Sequence, residues 1–283
     1  MSLAVLTIVR NRTTHLVNLL EGVRRSAVQP DELIVVDMSD APVGLSGLEP
    51  YVRIERMETG GGLPLAKARN RAAACATGDQ LIFLDVDCIP MRECLGRLSE
   101  AIDATDGLIC GEVRYLGPGD AAGDWDEASL IAKGKSHPVR SFPRAGLEPV
   151  SNPGLFWSLA FGIRRGTFAR IGGFDERFTG YGAEDTDFGF AADRAGCPLL
   201  FLGGAMACHQ YHESFDPPLQ HLADIVENAN RFHGKWGIWP MTGWLEQFAQ
   251  LGLIAWQSDE VRILRRPSTD EIGDALSIWP AAA

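Results

Sequence analysis

Through the first hundred residues, short apolar runs alternate with stretches in which apolar positions recur every three or four residues. Leu3 to Val9 is a continuous apolar run, and Thr13 to Ser26 then sets Leu16, Leu19, Leu20 and Val23 at helical spacing. That pattern predicts a strand followed by a helix. Leu33 to Val36 repeats the buried-strand pattern and places Asp37 where the strand should end. The Ala-rich segment Leu63 to Ala76 reads as a helix stopped by Gly78, and Leu81 to Leu84 is a further strand that runs straight into Asp85. Fully apolar strands alternating with helices predict an α/β fold with a mostly parallel sheet covered on both faces.

The pattern loosens between Gly117 and Val150, where Gly, Pro and Asp are frequent and no periodicity is sustained. A long loop or lid is expected there. Phe156 to Ile163 is apolar enough for another strand, and GGF at 172–174 marks a turn. A helix is expected over Asp185 to Ala195, because Phe188, Ala191, Ala192 and Ala195 share a face and acidic residues crowd the first turn. Leu199 to Leu202 returns to strand, Leu222 to Phe232 looks helical, and the Trp-rich stretch KWGIWPMTGW precedes a polar C-terminus. With no internal repeat and no second domain in the pattern, residues 1–213 are expected to form one α/β domain and 214–283 a helical extension packed on it.

Composition narrows the function classes. The 283 residues are 46% hydrophobic and carry a net charge of −11, enough chain for a sizeable core without disulfide or metal staples. An excess of 37 acidic over 26 basic residues argues against a nucleic-acid partner, which is held through clustered Lys and Arg. Six cysteines lack CxxC spacing and fall in predicted strands and helices, as reduced core thiols do. No apolar run approaches the roughly 18 to 20 residues needed to span a bilayer, and the N-terminus reads as a strand instead of a signal peptide. A cytoplasmic protein is expected; peripheral membrane contact and oligomeric state stay open.

Three strings carry candidate chemistry. In FLDVDCIP, residues 83–90, alternation along an extended chain would send Asp85 and Asp87 to the same side beyond a strand end, where paired oxygen ligands suit a divalent cation on a diphosphate. For a bare pair, turn capping by acidic residues is the commoner explanation. In GGFDERFTGYGAEDTDFGF, residues 172–190, glycines lead into Glu184 and Asp185 at a predicted helix start, a placement that suits a general base and also suits the helix dipole. In GGAMACHQYHES, residues 203–214, His209 is a candidate cation ligand beside Asp87, with Met206 or His212 as a further or alternative one.

Together with VRNRTTHL at 9–16, these strings occur in the order seen in β-1,4-galactosyltransferases. The chain resembles them, and also bacterial family 2 glycosyltransferases that carry the same galactosyltransferase-type segment. The resemblance implies a GT-A fold with a Rossmann-like sheet, and an inverting, metal-dependent transfer of a hexose of galactose, N-acetylgalactosamine or glucose type. A UDP-sugar would be the donor and a hydroxyl of a glycan the acceptor. It further implies that Arg10, Arg12, Asp37, Arg69 and Asp85 contact the donor nucleotide. Asp87, His209 and Met206 would hold Mn²⁺, or Mg²⁺ as second choice. Asp185 would be the catalytic base, with Glu184 orienting the acceptor, and Trp157 and Tyr181 would stack on sugar rings. Two other readings share such a fold: a nucleotidyltransferase acting on a sugar phosphate, and a sugar-nucleotide-binding protein without activity.

Overall fold

A computed structural model describes residues 1–277; the end of the expected extension, 278–283, lies outside the described residues. β1 (Leu3–Val9) is buried at every position, as a strand with neighbours on both edges and helices on both faces must be. α1 (Thr13–Arg25), β2 (Glu32–Asp37), β3 (Val52–Arg56), α2 (Leu65–Cys75) and β4 (Gln80–Leu84) follow, and β3-β2-β1-β4 pair in parallel. The chain continues through β5 (Cys88–Pro90), α3 (Cys94–Ala104), β6 (Leu108–Tyr115), α4 (Glu127–Lys133), β7 (Lys135–Ser136) and β8 (Gly146–Val150). β9 (Ala160–Arg164), α5 (Arg165–Ile171), α6 (Glu184–Arg194) and β10 (Leu199–His209) complete the sheet, whose order is β3-β2-β1-β4-β9-β6-β10-β5. The expected α/β fold is present, with antiparallel pairings in its second half: β9 with β4 and β6, β5 and β8 with β10, and β7 with β6.

Side chains from α1 and α3 pack on one face of this sheet and those from α2 and α6 on the other. α1 lies close against β5 because residue 22 is glycine; a Cβ there would stand 2.8 Å from Ile89 and Pro90. Under α6 the core is aromatic: Phe174 stacks on Phe188 at 4.3 Å and Phe83 on Phe161 at 4.5 Å. These rings fix α6 and the GGF turn to the sheet.

After β10 come β11 (Ser214–Phe215), α7 (Leu222–Trp236), α8 (Thr242–Gln250), β12 (Ile254–Trp256), β13 (Val261–Ile263), α9 (Thr269–Asp274) and β14 (Leu276–Ser277). These elements share a cluster that includes Leu222, Ile225, Leu245 and Phe248, against which Tyr181, Trp239 and Trp244 pack. The Trp-rich stretch is thus largely folded against the rest of the chain. No helix among the described residues is long and apolar enough to cross a membrane. Cys75 is partly buried, the other five cysteines are buried, and none is paired.

Several expectations change. The stretch expected as a lid holds α4, capped by Asp126 accepting from the Ser129 amide at 2.9 Å, and β8, which pairs with β10. The strand expected from Phe156 begins only at Ala160, because Pro153–Leu155 forms a short 3-10 turn. β10 does not stop at Leu202. A register shift between Leu202 and Met206 absorbs the glycines and lets the strand run on to His209.

Candidate active site

β5 pairs antiparallel with the end of β10, setting Cys88 opposite His209, and the Gln210 amide donates to the Asp87 carbonyl at 2.7 Å. Asp87 and His209, distant in sequence, are thereby neighbours. Ligand atoms of Asp87, His209 and His212 all lie within 4.8 Å of one another. Asp87 is 6% exposed, and its Oδ1 is buried without a hydrogen-bond partner. Burial pushes the His209 imidazole down to about 4, so it is neutral and offers a lone pair at physiological pH. His212 is also shifted down by burial, and its Nδ1 lies 2.9 Å from the Glu213 carbonyl. If Nδ1 carries the proton and donates there, Nε2, 3.8 Å from Asp87, is free to coordinate. Arg12 forms an ion pair with Asp87, and His15 stands 3.8 Å from it.

Met206 is not gathered into this cluster. It lies an odd number of residues before His209 on a strand, so its side chain faces the other way and packs against the cluster of Ile89, Met91, Leu116 and Cys208. His212 takes the third corner instead. The expected alternation of Asp85 and Asp87 also fails, because β4 ends at Leu84 and the chain turns, with the Cys88 amide donating to the Asp85 carbonyl at 2.8 Å. The two carboxylates consequently have different partners.

Asp85 faces Arg69. The buried guanidinium of Arg69 bridges Asp85 at 3.0 Å and Glu184 at 3.1 Å, holding the end of β4 to the start of α6. Asp185, next along, accepts from the Thr186 amide at 2.7 Å and from the Ser158 backbone. Burial raises the carboxyls of Glu184 and Asp185 above their usual range; Asp185 adds repulsion to Glu184, and Arg69 opposes both shifts. Removing Arg69 would leave two carboxylates without their shared cation. Arg69→Met is expected to cost about 3 kcal/mol in urea unfolding, and a loss below about 1 kcal/mol would show that the pair does not need it.

The other expected donor contacts stand around the ends of β1 and β2. Arg10 donates to the carbonyls of Gly62 at 2.5 Å and Gly61 at 3.3 Å. Asp37 is 1% exposed and accepts from the Ser39 and Val43 amides at 2.9 and 3.0 Å, with Arg56 at 3.2 Å. Burial works against its charge, but these donors outweigh it and hold the carboxyl below its ordinary range. Trp157 and Tyr181 have separate neighbours. Trp157 meets His137 edge-on at 4.7 Å, while Tyr181 stacks on His221 at 4.5 Å.

Three residues not singled out from the sequence join the site's surroundings. His15 faces Asp87 from α1. Asn228 on α7 holds the loop before α6. Arg140, 4% exposed, lies over the rings of Phe142, Trp157 and Phe201 at 5.0 to 5.1 Å, with Nε and Nη2 unpartnered. Only the proximity of basic and aromatic residues in the Gly117 to Val150 stretch hinted at the last.

Comparison with known proteins agrees with this architecture. The glycosyl transferase family 2 profile matches residues 4–169, and that of the N-terminal domain of galactosyltransferase matches residues 152–210. A validoxylamine A glucosyltransferase of Streptomyces hygroscopicus is 31% identical over 80 residues, covering 28% of this chain and 18% of that protein. An N-acetylglucosaminyl-diphospho-decaprenol L-rhamnosyltransferase of Mycobacterium tuberculosis is 33% identical over 97 residues, covering 32% of this chain and 31% of that one. The matched region thus spans less than a third of either relative. Among solved structures, GalNAc-T7 with UDP, GalNAc and Mn²⁺ superposes with a TM-score of 0.58 at 20% identity, over 75% of this chain and 43% of that one. S. aureus TarS in complex with UDP-GlcNAc gives a TM-score of 0.57 at 18% identity, over 76% and 60%. The shared fold is GT-A.

Proposed function

Because the chain belongs to glycosyl transferase family 2, we propose that it is a metal-dependent, inverting enzyme transferring a hexose from a UDP-sugar to a hydroxyl of a glycan acceptor. One observation carries this reading: Arg69 bridges the start of α6, where Asp185 stands, to Asp85, two residues from the Asp87, His209 and His212 cluster. A proton acceptor and a candidate cation site thus flank one region at the ends of the strands. The UDP, GalNAc and Mn²⁺ held by GalNAc-T7 and the UDP-GlcNAc held by TarS support the choice of donor.

In this reading Asp185 takes the proton of the acceptor hydroxyl as the acceptor oxygen bonds to the anomeric carbon. The bond from that carbon to the diphosphate breaks, and UDP leaves with the electron pair. Arg10 and Arg12 bring positive charge to the donor side. Glu184 orients the acceptor under the hold of Arg69, and Trp157 and Tyr181 offer aromatic surface to sugar rings. Asp87, His209 and His212 fit a divalent cation, since a carboxylate with one oxygen left without a donor stands within 4.8 Å of a neutral imidazole and a second ring nitrogen. Such an ion, Mn²⁺ before Mg²⁺, supplies Lewis-acid stabilisation of the leaving diphosphate when bound. We take 1–213 as the catalytic domain and the elements after it as an extension belonging to the same unit.

The test is a panel of UDP-galactose, UDP-N-acetylgalactosamine, UDP-glucose and UDP-N-acetylglucosamine with Mn²⁺ and glycan acceptors, reading UDP release and product mass. UDP release with an inverted glycoside is expected. Pyrophosphate release from a nucleoside triphosphate and a sugar phosphate would establish a nucleotidyltransferase, and binding without turnover a non-catalytic protein.

A further inference from the structure

The loop that leads into Glu184 and Asp185 is shaped from outside the α/β domain. Asn228, in the middle of α7, is 1% exposed, and its Nδ2 donates to the carbonyls of Thr179 and Gly182 at 2.9 Å each, with that of Tyr181 at 3.4 Å. One helical turn earlier, the Asp224 carboxylate accepts from the Tyr181 amide at 3.2 Å. Gly180 has φ +73, and a Cβ on it would stand 2.3 Å from the Asp224 carboxyl carbon, so the loop is pressed onto α7 as closely as glycine allows. Ala183 follows with φ +69, a conformation a residue with a side chain keeps only when its surroundings impose it. It is buried with Phe178 of the loop and Phe232 of α7. Beyond the carboxylates, Asp187 accepts from Lys235 Nζ at 2.8 Å and Trp236 Nε1 at 2.7 Å, both at the end of α7. Glu184 and Asp185 therefore lie between two points at which one helix of the extension grips the chain.

We propose that Asn228 is a positioning residue for sugar transfer: by holding the carbonyls of loop 179–182 it sets where the carboxylate of Asp185 stands relative to the acceptor. This rests on Asp185 acting as base. A general base works only within a narrow range of distance and angle from its hydroxyl, so slack in the loop reaches the reaction through Asp185 without touching donor binding. Among the described residues the Asn228 amide is the only side-chain donor to these carbonyls, and no water can readily replace it at a residue 1% exposed.

The experiment uses the full chain with Asn228→Asp, the same size but without the two donors, and Asp224→Ala, at a side chain 44% exposed where folding is not at stake. Amide hydrogen exchange over 179–186, UDP affinity by calorimetry, and kcat and KM for transfer are read on each. Loop exchange about tenfold faster, with exchange in β1 and β4 unchanged, is expected for Asn228→Asp. Its kcat should fall about 30-fold or more, with donor KM and UDP affinity within about twofold and a larger share of turnover going to water. Asp224→Ala should show the same split at smaller size. Unchanged loop exchange, or faster exchange with kcat within about twofold of wild type, overturns the proposal. So does a kcat loss that tracks a parallel loss of UDP affinity. If the wild-type chain transfers no sugar, the functional reading fails and takes this role of Asn228 with it, while unaltered exchange in an active enzyme removes the role alone.

Discussion

Asp185→Asn is expected to lower sugar transfer by about a thousandfold while UDP-sugar affinity stays within about twofold. The substitution keeps the size of the side chain and one acceptor oxygen, so the hydrogen bonds from Thr186 and Ser158 have a partner still. What it removes is a group able to take a proton. Burial raises the Asp185 carboxyl above its usual range, and Arg69 only partly offsets this. The sign follows: a raised carboxyl is protonated, and useless as a base, at a higher pH than an ordinary aspartate, so transfer falls as pH drops through that raised value. For stability the same shift works in reverse. Its contribution is full below the unfolded pKa and is lost as pH rises through the folded one, so Asp185→Asn should raise the melting temperature near neutral pH. A variant that keeps more than a tenth of wild-type kcat would remove Asp185 from the role of base.

Replacing Asp87 by alanine is expected to have an effect of similar size on the other side of the reaction. The residue is 6% exposed and is the only carboxylate in the cluster with His209 and His212. A neutral pair of imidazoles remains, a poor match for a hard cation. Mn²⁺-dependent thermal stabilisation in the presence of UDP should disappear, and transfer at saturating donor should fall by about a thousandfold, the several kcal/mol that a Lewis acid contributes. A chelator should do the same to the wild-type enzyme, reversibly on readdition of Mn²⁺. Met206→Leu, by contrast, should leave Mn²⁺ dependence unchanged, since Met206 packs on the opposite face of β10. Full activity of Asp87→Ala in chelator would eliminate the cation site.

Local pattern made part of this molecule legible and hid the rest for identifiable reasons. β1, α1, β2 and β4 are read directly because their burial imposes continuous apolar runs or a clear helical stripe. α6 is read because its acidic first turn and its apolar face agree. β5, three residues long, leaves no periodic trace, yet it is the pairing of β5 with β10 that brings Asp87 to His209. Met206 packs away from His209 because a motif gives spacing along the chain, whereas the strand it occupies decides which face each residue meets. His15 and Asn228 sit on helices whose stripes predict burial or exposure of a face and say nothing of the carbonyl or carboxylate waiting across the gap.

Arg140 has a consequence for the way the segment before β8 is secured. Among the described residues its charge is met by the faces of Phe142, Trp157 and Phe201 instead of by an acidic partner. Dissolved ions weaken attractions between surface charges across water but hardly reach a guanidinium sealed among rings. Tethering of this kind should therefore hold in brine, long after the exposed pairs of Glu21 with Arg24 and Arg25 on α1 have let go.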